Sequence, residues 1–354
     1  MKIAIVTGSF GLVGCETVLA LLETGYKVIG IDNDLRRYFF GTGASNSWKQ
    51  NRLSQFSSYI HYDLDIRDTL EIEEIFINHG NDIELIVHTA AQPSHDWATQ
   101  HILEDFEINA TSTLKLLELT REYCPEAIFI FTSTNKVYGD GPNKLSFYEQ
   151  RTRYGVKGGT QFHDGISEKM SIDNQLHSLF GSSKVAADIY VQEYGKYFGL
   201  KTACFRCGCI TGPLHSGTEM HGFLSYLVRC ALTNKKYHVF GYKGKQVRDN
   251  IHTKDLVRAF MLFKDKPQIG EVYNIGGGLH SSCSILEAIT MIGEITGSSV
   301  GFDYVPENRI GDHKWWVTDY NKFHKTYGWK STYTIKDIIE ELVEEVDNQL
   351  GENK

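Results

Sequence analysis

Residues Ile3-Ala4-Ile5-Val6-Thr7-Gly8-Ser9-Phe10-Gly11-Leu12-Val13-Gly14 decide the architecture. A short apolar run breaks into glycines at 8, 11 and 14, and the amphipathic pattern of a helix follows over Leu12–Thr24. Glycines at that spacing permit a tight turn, let the backbone approach a pyrophosphate, and pack a helix against a strand. The helix N-terminus then offers amide donors and the positive end of its dipole to phosphates. Three glycines alone are a weak signal. Here strand, glycines, helix, second strand and a terminal acid come in order. The acid is Asp32, which closes Tyr26-Lys27-Val28-Ile29-Gly30-Ile31-Asp32. A carboxylate there accepts hydrogen bonds from the adenosine ribose hydroxyls and repels a 2′-phosphate, which favours NAD over NADP. Arg36 and Arg37 pull the other way, because a nearby arginine accommodates that phosphate.

Working outward, strands are expected at Ile3–Thr7, Lys27–Asp32, Tyr59–Asp63, Leu85–Thr89, Ala127–Thr132 and Lys201–Arg206. Helical patterns separate them at Leu12–Thr24, Thr69–Asn78, Phe106–Tyr123 and Ser182–Phe198. Such alternation produces right-handed crossovers and a parallel sheet covered on both faces. The runs Ile3-Ala4-Ile5-Val6 and Ile128-Phe129-Ile130-Phe131 are apolar throughout, as strands buried on both sides require. The fold class is therefore α/β, a Rossmann-type doubly wound parallel sheet with a smaller C-terminal α+β substrate region. Residues 1–206 form the NAD-binding domain. Residues 207–354 form the substrate region, interleaved so that some segments return to the first domain. Glycine-rich turns at Gly241-Tyr242-Lys243-Gly244 and Gly276-Gly277-Gly278 punctuate that second part, and a helix is expected over Ile335–Leu350. The stretch Arg37–Gln55 reads as a surface excursion.

A net charge of -8 over 354 residues leaves no basic footprint for nucleic acid. No apolar run approaches the roughly 18 residues of a membrane span. The first residues read as a strand rather than a signal peptide, so a cytoplasmic enzyme is expected. The seven cysteines, at 15, 124, 204, 207, 209, 230 and 283, read as reduced thiols. Cys204, Cys207 and Cys209 lack a second Cys/His pair at zinc spacing, so no metal site is expected.

The Gly-x-x-Gly-x-x-Gly spacing resembles the extended short-chain dehydrogenase/reductase family, and further segments are similar to it along most of the chain. Asp63-Leu64-Asp65-Ile66-Arg67-Asp68 looks like the adenine-contacting segment, with Asp65 and Ile66 at the contact positions. His88-Thr89-Ala90-Ala91-Gln92 resembles the turn that lines the cofactor, and Asn109 stands at the family's helix asparagine. Phe131-Thr132-Ser133-Thr134-Asn135-Lys136-Val137-Tyr138-Gly139-Asp140 looks like the catalytic strand, with Thr134 at the hydroxyl position. The resemblance implies cofactor contacts at Gly8, Phe10, Gly11, Leu12, Gly14, Asp32, Asn33, Arg36, Asp65, Ile66, Ala90, Ala91, Gln92, Asn109, Thr132 and Lys184. Segments 245–252 and 309–312 resemble two whose arginines, here Arg248 and Arg309, grip a nucleotide-sugar diphosphate. Planar guanidinium groups suit that task through paired bonds to phosphate oxygens. Ser94, Thr134, Asn135, Arg206, His215, Glu219, His221 and Gln246 are further expected substrate residues. The resemblance also implies a homodimer, built through Phe106–Tyr123 and Ser182–Phe198.

Two departures matter. The family's helix carries Tyr-x-x-x-Lys, whose tyrosine removes a sugar hydroxyl proton, but this chain has Phe180-Gly181-Ser182-Ser183-Lys184. Phenylalanine moves no proton. His177 is the leading substitute base, with Thr134, Tyr154, His163 and Lys184 as further possibilities for a relay. Dehydratases of the family place an Asp-Glu pair after the threonine; here Asn135 and Lys136 stand there, which disfavours dehydration. Ser-Thr-Asn-Lys-Val-Tyr-Gly-Asp and Gly-Lys-Gln-Val-Arg-Asp look most like the branch of CDP-hexose 2-epimerases. The expectation is an NAD-dependent nucleotide-sugar epimerase, with a CDP-linked substrate, acting by transient hydride transfer through a keto sugar. A nucleotide-sugar oxidoreductase with net NAD turnover and a non-catalytic NAD sensor stay open.

Overall fold

The apolar run Ile3–Thr7 (β1) pairs on one side with Lys27–Ile31 (β2) and on the other with Ile83–His88 (β4), both parallel. Tyr59–Tyr62 (β3) extends the sheet beyond β2, and Ile128–Thr134 (β5) beyond β4. In this computed structural model, which describes residues 2–219, 221–309 and 311–352, the parallel sheet has seven strands. Their order is Glu271–Ile275, Lys201–Cys207, β5, β4, β1, β2, β3. The order reverses between β1 and β4, and in open α/β sheets that switch point is where ligands bind. Glu271–Ile275 went unread in the sequence. Its five residues lie among looser turns far from the regular strand–helix alternation.

The α-helices up to residue 198 are Leu12–Glu23 (α1), Arg36–Phe40 (α2), Trp48–Leu53 (α3), Thr69–His79 (α4), His95–Gln100 (α5), Ile102–Phe106 (α6), Ser112–Tyr123 (α7) and Ser178–Phe198 (α8). The single helix expected from Phe106 is two. A wide π turn, Glu107–Thr111, joins α6 to α7. It carries Asn109 on its inner side, and such turns often mark functional positions.

Chain contacts divide the molecule into two units. The first comprises Met1–Val137, Leu179–Arg206 and Val257–Tyr273, and the second Tyr138–Ser178, Cys207–Leu256 and Asn274–Lys354. A break thus falls at residue 206, and Tyr138–Ser178 groups with the second unit. The first unit's core packs Ile5, Ile29, Ile86, Leu117, Phe129, Phe131 and Val191 about the sheet, all with no exposed surface. Each such side chain contributes about 1.5–3 kcal/mol relative to exposure. The second unit has its own core, with Leu227, Val239, Ala288, Ile292, Ile338, Ile339 and Leu342 packed between Phe223–Leu232, Ile285–Thr296 and Ile335–Glu352. Among the described residues no helix is long and apolar enough to cross a membrane.

The stretch 37–55 is more than a surface excursion. Asp34 accepts hydrogen bonds from Ser45 Oγ (2.5 Å) and the Asn46 amide (2.8 Å), which fold the segment back. Lys49 is thereby driven under the glycine turn with no exposed surface. Its Nζ donates to the Phe10 carbonyl (3.0 Å) and to Asn46 Oδ1 (3.1 Å), the pairing that a buried ammonium requires. Burial pulls the Lys49 pKa down to about 8.

Candidate functional site

In the first unit the glycine turn is forced by space. Gly8 has φ +70, and a Cβ on it would lie 2.7 Å from the Ala90 nitrogen. A Cβ on Gly14 would meet the Gly8 carbonyl oxygen at 2.0 Å. Gly11 precedes α1, which has no side-chain cap and no acidic residue in its first turn. That end suits a phosphate. Leu12 opens the helix. Asp32 accepts from the Phe10 and Asp34 amides, each at 2.8 Å, leaving each carboxylate oxygen a further lone pair for a ribose hydroxyl. Burial raises its pKa to about 6, against the lowering effect of those two amides. Phe10 is buried with its ring 4.5 Å from that of His61.

Around Asp32, Asn33 donates to Asp65 (3.2 Å), and Asp65 is clamped by both arms of Arg67 at 2.8 Å. Burial would raise the Asp65 pKa, but the Arg67 hydrogen bonds outweigh it and hold the carboxyl low. Arg36 lies 4.9 Å over the Phe40 ring, and burial pulls its pKa down to about 10. Ile66 is buried in the core.

The loop after β4 is held by its neighbours. Ala90 donates its amide to Thr7 Oγ1 (3.3 Å), and Ala91 follows it. Asn109 braces Gln92 from both sides, accepting its amide and donating to its carbonyl, each at 3.0 Å. Asn109 was expected to touch the cofactor. It is buried, and its amide is spent on Gln92, Asp105 and Ser183, so it shapes the loop instead. Ser94 is likewise turned inward, buried, as the cap that accepts the Trp97 amide at the start of α5.

The chemistry-bearing residues meet where β5 ends beside α8. Lys184 donates to the Thr132 carbonyl (3.1 Å), with its ammonium 4.1 Å from the Phe131 ring centroid. Thr134 donates to Asn135 Oδ1 (3.3 Å) and accepts the Lys136 amide (3.2 Å). Among the described residues the buried Gln92 Oε1 and Thr132 Oγ1 have no hydrogen-bond partner. Two orphaned polar atoms beside an open glycine cradle fit a bound polar cofactor. Arg206, expected at the substrate, is a correction. It is buried beneath this strand, gripping Asp188 of α8 at 2.6 and 3.0 Å, while Ser133 donates to the same carboxylate at 2.5 Å. Asp188, Asp105, Ser183, Lys49 and His95 were not singled out from sequence. The only local signal was Asp105 at the helical spacing i−4 from Asn109.

The second unit carries the expected diphosphate residues. Arg248, on the buried strand Val247–His252, donates to the Val247 carbonyl (2.8 Å) and to the Asp312 carboxylate. Arg309 lies 5.8 Å from the Phe240 ring centroid and begins the turn in which the Asp312 amide reaches the Arg309 carbonyl. The fold thus brings Arg248 to the 309–312 turn. Gln246 is buried, donating to the Phe240 carbonyl at 3.0 Å. His215 packs against Gly222 and 5.8 Å from the His221 ring, whereas Glu219 is paired with His238 at 2.6 Å.

His177, the expected base, immediately precedes α8 and donates its Nε2–H to the Ile172 carbonyl (2.8 Å). Its remaining lone pair, on Nδ1, is buried without a partner among the described residues, 3.1 Å from where a Cβ on Gly139 would stand. A nitrogen sealed against backbone does not meet a substrate hydroxyl, so the base reading of His177 loses its geometric support. Of the other possibilities, Tyr154 is buried beneath the Lys314 ammonium and His163 sits exposed beside Asp164. All seven cysteines are thiols rather than disulfides, and among the described residues no cluster of three or more metal-ligating side chains occurs.

Comparison with known proteins agrees with this geometry. A family model described as "NAD dependent epimerase/dehydratase family" matches residues 4–276. The chain is 29% identical over 345 residues to the CDP-paratose 2-epimerase of Salmonella typhi, covering 96% of this chain and 97% of that one. It is 26% identical over 369 residues to the dTDP-glucose 4,6-dehydratase of Salmonella typhimurium, covering 97% and 92%. Among solved structures, UDP-glucose 4-epimerase from Bifidobacterium longum in complex with NAD+ and UDP superposes with a TM-score of 0.79 at 23% identity, covering all of both chains, a likeness of fold. NAD is the cofactor of the family, and the cradle described above fits it.

Proposed function

This chain belongs to the NAD dependent epimerase/dehydratase family, and we propose that it is an epimerase inverting the second carbon of a CDP-linked hexose. The observation that carries the reading is the end of β5. Thr134 keeps the hydroxyl, while Asn135 and Lys136 put an amide and an ammonium where the resemblance implies that dehydratases hold a carboxylic acid pair. Neither group performs the paired proton transfers of dehydration. The similarity to a CDP-paratose 2-epimerase supports the nucleotide and the carbon.

When bound, NAD supplies the acceptor and then the donor of one hydride. Asp32 would hold the adenosine ribose and the α1 amides would hold the pyrophosphate. Lys184, fixed by the Thr132 carbonyl, orients the ribose on the nicotinamide side, and its charge favours ionisation of a nearby hydroxyl. Thr134 donates to the sugar oxygen. In the second unit Arg248 and Arg309 would grip the diphosphate of the nucleotide sugar. We further propose a cytoplasmic location and a homodimer, the dimer supported by the exposed apolar side chains Leu103 and Phe106 of α6 and Ile189, Tyr190, Tyr197 and Phe198 of α8. Exposed apolar side chains in such number suit a surface that meets a partner.

The test incubates the protein with CDP-, UDP-, GDP- and dTDP-hexoses in D₂O and follows products by NMR. Inversion without deuterium at the inverted carbon is the expected result. Solvent deuterium there means proton abstraction beside a carbonyl and refutes the mechanism. Steady NADH accumulation selects the oxidoreductase, and NAD binding without sugar binding selects the sensor.

A further inference from the structure

Oxidising a sugar carbinol removes a hydride from carbon and a proton from oxygen, and Phe180 offers that proton no acceptor. We infer that His95 is the proton acceptor. The inference rests on the epimerase reading above. The His95 imidazole lies edge-to-face against the Phe180 ring, with centroids 4.9 Å apart and planes at 69°. Phe180 and Lys184 sit one turn apart on the same face of α8, so His95 stands at the ring that replaces the family's proton acceptor. The phenyl ring is buried, whereas His95 is only partly so. Residue 95 thus keeps some exposed surface beside a ring that is buried.

Its carrier is capped and packed. Ser94 caps α5 by accepting the Trp97 amide at 3.2 Å. The Trp97 indole packs 4.8 Å from Phe39 and stacks 4.2 Å from His101. A general base works only when so positioned. The other imidazoles of the first unit lie against other neighbours. His88 is fully buried between Thr7 and Thr113, at 2.7 and 2.9 Å, and burial drives its pKa to about 3. His61 packs against Phe10, His101 under Trp97, and His79 ends α4.

In the forward half the sugar O–H bond breaks and an N–H bond forms on His95. The C–H electron pair would leave as hydride to NAD, the family's cofactor, as the C=O bond forms. In the return half the hydride comes back to the opposite face of that carbon, and His95 returns its proton to the oxygen. Protein and cofactor end unchanged.

The test compares His95→Gln, His95→Asn and the double variant His95→Gln/Phe180→Tyr with the unmodified protein. It uses the same four classes of nucleotide hexose and measures NAD affinity separately by fluorescence titration. Both single variants are expected to bind NAD as the unmodified protein does and to epimerise about 10²–10⁴-fold more slowly, the usual contribution of a general base. The double variant should recover at least about tenfold over His95→Gln, because the tyrosine oxygen supplies the missing acceptor. Single variants with near-normal rates, or whose rate loss only follows a loss of NAD affinity, overturn the assignment. So does a double variant no faster than His95→Gln. An unmodified protein that epimerises no sugar overturns the epimerase reading and this inference together, whereas an active enzyme indifferent to residue 95 removes His95 alone.

Discussion

Replacing Arg206 by methionine should destabilise the protein by about 3–5 kcal/mol, the usual cost of stranding one partner of a buried ion pair. The guanidinium and the Asp188 carboxylate are 7% and 1% exposed, and two donors of the arginine reach the carboxylate at 2.6 and 3.0 Å. Without them Asp188 keeps hydrogen bonds from Ser133 (2.5 Å) and Gln192 (2.8 Å) but no opposite charge at contact. Natural domains hold roughly 5–15 kcal/mol in all, so the loss should move the urea midpoint well down, read by far-ultraviolet circular dichroism. Arg206→Met/Asp188→Leu should recover much of it, since apolar replacement of both partners of such a pair is often neutral. Because Asp188 lies one turn beyond Lys184 and Ser133 precedes Thr134, the single variant should also loosen the catalytic geometry. A stability loss below about 1 kcal/mol, accompanied by weaker sugar binding, would refute this and restore Arg206 to the substrate.

Asp32 makes NAD binding pH-dependent. Burial raises its pKa to about 6 without cofactor, while ribose hydroxyl donors favour the carboxylate, so NAD affinity should fall as pH drops through 6, measured by calorimetry. Stability runs in the opposite direction. The raised folded pKa contributes stability fully below 3.8 that is lost as pH rises through about 6, so Asp32→Asn should melt higher than the parent at pH 7 without NAD, yet bind NAD more weakly. Gly14→Ala should abolish measurable NAD binding, because its Cβ would lie 2.0 Å from the Gly8 carbonyl oxygen; fluorescence titration would read it, and normal affinity would contradict the cradle. Arg248→Ala should raise KM far more than it lowers kcat in steady-state assays, since a diphosphate grip lies away from the reacting carbon. Sedimentation should find a dimer at micromolar concentration that Leu103→Asp breaks; a monomeric parent would contradict the dimer.

Six of the seven sheet strands, the glycine cradle and Asp32 were legible in the sequence, because each is written locally. Alternation of apolar strand and amphipathic helix repeats within about 30 residues, the span of one βαβ unit. A glycine turn is set by sterics among its own neighbours. The absent tyrosine at 180 and the missing acid pair at 135–136 were equally plain, since a motif exposes its own gaps. Contacts between distant segments were not legible, because side-chain chemistry does not reveal which partner folding brings up to it. Arg206 looked like a substrate residue until α8 laid Asp188 beside it. His177 looked like a base until its lone pair proved sealed over Gly139. The stretch 37–55 looked like a surface excursion until Asp34 folded it back and buried Lys49 under the glycine turn. His95 acquired meaning only when α5 and α8 set its ring against Phe180. Burial decides whether a charge is paired or free to meet a ligand, and burial is a property of the closed tertiary structure.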